Sequence, residues 1–190
     1  MQPTQPNPVH PANISRVQRE LPEGYETADL AGRTAPLALW GFGPEWVSDP
    51  PQCGALAAPV GDDAAVRGWS GSGLGGIVYV AVAEARVELD PALVGECGTW
   101  SLSAGHTSGV VNLVAAPTID GATTLGMSSD ATTRVEGGTE TRSHGDTFIA
   151  YLGDYVTYVT VVTDPGAVGQ VLDAEFAAGL LTKTVSALRG

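Results

Sequence analysis

The chain has 190 residues, enough for one ordinary domain with a sizeable core. With 21 acidic against 9 basic residues its net charge is −12 and its pI near 4.4, which argues against a sequence-independent grip on nucleic acid or anionic lipid. No stretch approaches the roughly 20 apolar residues of a membrane-spanning helix.

The start, Gln2-Pro3-Thr4-Gln5-Pro6-Asn7-Pro8, is polar and proline-rich and cannot pack. Residues 1–12 are expected to form a disordered tether following a removed signal or lipidation segment, and residues 13–190 a single domain. Asn13 or Ser15 is expected to cap a short helix that carries Ile14, Val17 and Leu21 on one face and ends at Pro22 and Gly24. Asn13-Ile14-Ser15 also matches a glycosylation sequon, but capping is the favoured role.

Residues 25–30 read as a first strand. The stretch from Trp40 through Phe42 to Trp46 is too rich in Gly and Pro for a regular element. Its aromatics are read either as a lid on the core or as part of a ligand wall.

Two segments repeat one design: Asp49-Pro50 leading to Cys53, and Asp90-Pro91 leading to Cys97. Each fits a helical turn with Asp at the N-cap and Pro at the first position. Cys53 and Cys97 lack zinc-ligand spacing and the C-x-x-C arrangement of redox pairs. They read as one structural disulfide joining two short helices, with two buried free thiols as the alternative. A disulfide implies an oxidising compartment.

Between them, residues 64–70 and 77–87 are expected as strands joined across the glycine-rich run 71–76, because Ile77-Val78-Tyr79-Val80 is β-branched and aromatic. Residues 110–114 form another strand. Residues 123–136 and 139–152 then pair across Gly137-Gly138, and Gly153-Asp154 turns the chain into strand 155–162. That last strand is apolar or threonine on both faces, as a central strand covered on both sides should be. A closing helix over residues 167–188 carries Val171, Ala174, Ala178, Leu181, Val185 and Leu188 on one stripe. The fold class is α+β: an antiparallel meander packed by a C-terminal helix and short N-terminal helices, with one disulfide.

No motif carries recognisable chemistry. Gly71, Gly73 and Gly76 match G-x-G-x-x-G but lead into a strand, whereas a dinucleotide site needs a helix there. Trp69-Ser70-Gly71-Ser72-Gly73 lacks the first glycine of a nucleophile elbow. His106 lies beside hydroxyls and His144 two residues from Asp146, so either could serve as a general base if serine and carboxylate converged on it. The acids Asp62, Asp63, Glu84, Glu88 and Asp90 form no calcium-binding loop. No cofactor or metal is expected.

Three segments carry a family resemblance: Cys97-Gly98-Thr99-Trp100, Ala115-Ala116-Pro117-Thr118-Ile119-Asp120-Gly121-Ala122, and Tyr151-Leu152-Gly153-Asp154-Tyr155-Val156 with Val159 to Gly166. Over about Ile14 to Leu188 the chain resembles mycobacterial secreted lipoproteins of unknown function, which are distantly similar to the extracellular sensor domain of a mycobacterial receptor-type Ser/Thr protein kinase. The resemblance implies a disulfide-stabilised α+β fold with a ligand cleft; the sensor domain has two disulfides where this chain has two cysteines.

The combined expectation is a non-enzymatic binding module, secreted and lipid-anchored at the outer face of the plasma membrane. It takes a small molecule or lipid in a cleft, and Trp40, Phe42, Trp46 and Trp69 are the expected wall residues, with core filling as their other reading. A protein-interaction or scaffold module of the envelope is the alternative, and a Ser/His hydrolase a further one.

Overall fold

A computed structural model describes residues 7–190. One antiparallel sheet organises them, built from β1 (Glu26–Asp29), β2 (Val47–Asp49), β3 (Val66–Gly73), β4 (Gly76–Glu84), β5 (Thr99–Ala104), β6 (Thr107–Val114), β7 (Thr123–Arg134), β8 (Glu140–Tyr151) and β9 (Tyr155–Thr163). The strand order is β1-β3-β4-β9-β8-β7-β6-β5-β2. Three α-helices accompany it, α1 (Pro36–Leu39), α2 (Pro91–Glu96) and α3 (Ala174–Leu188), with 3-10 helices at Pro11–Glu20 and Pro51–Ala57.

The expected meander is present as β7, β8 and β9. Its turns form where Gly137, Gly138 and Gly153 take positive φ, a region closed to most residues with a Cβ. β9 lies between β4 and β8 and is buried on both faces. On one face Val159 and Val161 meet Val78, Val80 and Phe148 under Leu181 and Val185 of α3 and Ile14 and Val17 of the first 3-10 helix. On the other, Tyr158 packs with Ile149, Met127, Leu37 and Trp40 beneath the irregular segments and the disulfide. The architecture is therefore α+β with a central sheet between two unlike covers.

Cys53 and Cys97 are bonded, S–S 2.03 Å, and tie the second 3-10 helix to the end of α2. Asp90 caps α2 as expected, its Oδ1 accepting from the Ala92 N–H at 2.9 Å. Asp49 does not repeat that role. It pairs with Ser101 as the last residue of β2, and Ser48 Oγ instead accepts the Gly54 N–H at 3.1 Å. Strand pairing has taken the residue that local sequence assigns to a cap.

Other expectations shift for similar reasons. Of the tether, residues 1–6 lie outside the described residues; His10 N–H donates to the Leu188 carbonyl, and Pro11 and Ala12 already belong to the first 3-10 helix. Neither Asn13 nor Ser15 caps it. Asn13 Nδ2 reaches across to the Ala187 carbonyl at 3.0 Å, and Ser15 Oγ donates back to Ala12. The glycine run is mostly strand: Gly71 pairs with Val78 and Gly73 with Gly76, leaving only Leu74-Gly75 as the turn. Side chains at 71 and 73 would strike Leu21 and the Tyr25 ring, so the missing Cβ atoms admit those neighbours.

The last helix starts later than its periodicity suggests. Leu172 N–H donates to the Gly75 carbonyl at 2.9 Å, which holds residues 167–173 against the β3–β4 hairpin and leaves Val171 exposed. Asp173 then opens α3, its Oδ1 accepting the Phe176 N–H at 2.9 Å. Beyond it the expected stripe holds, with Leu181, Val185 and Leu188 buried alongside Ala177, Leu180 and Thr184.

Candidate functional site

The β3–β4 hairpin, the loop before β1 and the start of α3 converge at one end of the molecule. Between them lies a cleft of about 430 Å³, lined chiefly by Tyr25, Leu74, Gly75, Leu172 and Phe176. That volume lies in the range of small-molecule sites. Tyr25 projects from just before β1, its ring seated on Gly73 and its hydroxyl enclosed against Gly75. Burial holds this phenol above its ordinary ionisation, with the Gly75 backbone beside it opposing the shift. Leu74 at the hairpin tip is fully exposed, as is Val168, while Val171 and Ile77 are partly so. A second hollow of about 370 Å³ adjoins the first through Leu74, Gly75 and Val171, and continues past Ile77 to Arg142 and Asp164.

The expected wall residues stand elsewhere. Trp40 and Phe42, each 3% exposed, and half-buried Trp46 belong to the core on the disulfide side of the sheet. Trp40 Nε1 donates to Thr147 Oγ1 at 3.0 Å, within a buried pair formed by Thr147 and Thr160. Trp69 is 1% exposed on the opposite face, its Nε1 donating to the Ile14 carbonyl at 2.9 Å. Three of the four are therefore brought together and the fourth is separated from them by the sheet. None lines the cleft. The sequence signal for the cleft was a single leucine set among Gly71, Gly73, Gly75 and Gly76, an apolar side chain where a turn usually carries a polar one.

His144 is held well above its ordinary pKa by two neighbouring carboxylates. From β8 it places Nδ1 2.8 Å from Asp130 Oδ1 on β7, and Nε2 3.1 Å from Asp146 Oδ1. The Asp146 hydrogen bond leads in raising its pKa from 6.5 to about 9; burial opposes this and Asp130 adds to it. The ring is thus an imidazolium at neutral pH with both N–H groups engaged. A general base needs a free nitrogen lone pair, and this ring offers none. His106 is exposed in the β5–β6 turn. Among the described residues neither histidine hydrogen-bonds a serine hydroxyl, and no group of three or more His, Cys, Asp or Glu is placed to hold a metal.

The His144 pair of contacts predicts a definite pH dependence. Its folded pKa exceeds the unfolded one, so its stabilising contribution is fully present below about pH 6.5 and is lost as pH rises through about 9. The ring is partly exposed, so the effect is on the order of 1 kcal/mol after solvent screening. Urea unfolding between pH 6 and 9.5 should show that decline, and His144→Gln should flatten it; an equal decline in the variant would remove His144 as its source.

Residues 10–189 match the family model of a domain of unknown function, DUF5642. The chain belongs to this family. No curated protein matches this DUF5642 chain. Its fold is similar to the crystal structure of an uncharacterised Mycobacterium smegmatis protein, an Rv0999 ortholog, with a TM-score of 0.71 and 21% identity over 96% of this chain and 98% of that one. At that identity the likeness concerns the fold alone.

Proposed function

We propose that this DUF5642 domain is a non-enzymatic binding module of the cell envelope that takes an apolar small molecule or lipid in the cleft between Tyr25, Leu74, Leu172 and Phe176. The observation that carries the reading is the cleft itself, whose Leu74, Val171, Leu172 and Phe176 side forms an apolar wall beside a polar rim of Glu23, Gln170 and Asp173. The disulfide supports an extracytoplasmic location. The occupied ring of His144 supports a binding role over hydrolysis. The resemblance to secreted lipoproteins and, more distantly, to a kinase sensor domain agrees with a lipid-anchored ligand receptor.

Native mass spectrometry of the protein purified unreduced from its host envelope tests this. The expected result is a non-covalent adduct released on denaturation and lost in the double variant Leu74→Ser, Val171→Ser, whose exposed positions leave the melting temperature unchanged. A bare mass in the native protein would sink the ligand reading. The protein-interaction alternative is favoured by one observation, the gathering of exposed Leu74, Ile77 and Val171 at this same end. It predicts a stoichiometric protein partner on pulldown, released by the same double variant.

A further inference from the structure

We propose that the occupant of the cleft is an amphiphile with an apolar chain and a cationic head, a statement of ligand class that rests on the binding role just given. The walls supply the chain site: Leu74, Val171, Leu172 and Phe176 present hydrocarbon and no charge. Among the described residues, the charged groups lining this hollow are two carboxylates, Glu23 and Asp173, both exposed, with no lysine, arginine or histidine beside them. Glu175 follows in the first turn of α3.

A helix start of this length would on its own attract an anion through its free N–H groups and dipole. Here that attraction is already answered from within the chain. Asp173 Oδ1 takes the Phe176 N–H, and Glu175 adds a second negative charge beside it. An anionic head placed at this rim would face carboxylates in a protein of net charge −12, and a cationic head would be drawn to them. The adjoining hollow carries Arg142 together with Asp164, so its charges offset one another and the preference belongs to the Tyr25–Phe176 end.

The test is a calorimetric titration at physiological salt, below micelle formation, with alkylammonium, alkyl sulfate and alkyl maltoside series of increasing chain length. Chemical shifts of Tyr25, Leu74, Leu172 and Phe176 locate the binding, because an acidic protein attracts any cation diffusely. The expected result is affinity that rises about fourfold per methylene until the cleft is filled, with the ammonium series tightest. Glu23→Gln and Asp173→Asn, the latter keeping a side chain able to cap α3, should each weaken the ammonium series about twofold to fivefold and leave the maltosides unchanged.

Chain-dependent binding with equal or stronger affinity for the sulfates would overturn the cationic assignment and leave the apolar cleft standing. Absence of chain-dependent binding in all three series would overturn both readings. Concentration-dependent dimerisation abolished by Leu74→Ser would assign the patch to a second copy of the chain and overturn the amphiphile.

Discussion

Replacing Cys53 and Cys97 by alanine together is expected to lower stability by about 4 kcal/mol. The bond closes a loop between residues 44 apart, and restricting the unfolded chain over that length has roughly this effect. For a chain of this size the melting temperature should fall by about 8–16 °C. The bond joins two short helices that make few other contacts with each other, so little else compensates. Calorimetry of the variant, and of the unaltered protein with and without reductant, should give matching losses. A melting temperature indifferent to both changes would show that the irregular cover holds to the sheet through its apolar contacts alone.

Trp69→Ala carries the second large effect, about 3–5 kcal/mol. The ring is enclosed between β3 and the first 3-10 helix, and its Nε1 supplies the Ile14 carbonyl with a partner. Trp69→Phe retains most of the apolar volume and removes the donor, which should cost about 1–3 kcal/mol. Equilibrium denaturation separates the two variants. The same loosening should reach the cleft, because the chain runs from Ile14 through Leu21 to Tyr25. If the cleft binds as proposed, affinity should therefore drop in Trp69→Ala through disorder of that strap, although the indole does not line the cleft. Binding abolished in Trp69→Phe with stability intact would instead place the indole at the site.

The strands with strong turns were legible in the sequence. β7, β8 and β9 are long, β-branched and joined by glycines whose backbone suits tight hairpins, so local preference and tertiary pairing agree. β2 and β5 were not expected. β5 does alternate, with Trp100 and Leu102 inward, but serines and threonine fill its other face and blunt the signal. β2 has three residues and exists only because β5 offers it an edge. Asp49 and Asp90 open segments with the same Asp-Pro start yet one is strand and one is cap, a difference set by the distant partner Ser101 that no local pattern contains.

The cleft was illegible for a related reason. Tyr25, Leu74, Leu172 and Phe176 come from three separate stretches, and no periodicity connects them. Aromatic content pointed to Trp40, Phe42, Trp46 and Trp69, large side chains whose burial is the ordinary outcome. Composition alone does not distinguish an indole that fills a core from one that lines an opening. What it did offer was the scatter of three histidines and the dispersal of the acids, with no spacing that points to one site.

The strand order has a consequence for how the molecule comes together. Strands β5 to β9 lie side by side in the order in which they are made and can pair through short connections. The N-terminal strands β1, β3 and β4 join them only when β4 docks on β9, a pairing between distant parts of the chain. Until β9 has emerged, β4 keeps an open edge of unpaired peptide groups with Val78, Val80 and Val82 bare beside it. A chain cut short before Tyr155 is thus a sticky strand edge waiting for a partner, and clearance or aggregation, rather than a smaller working domain, is its expected fate.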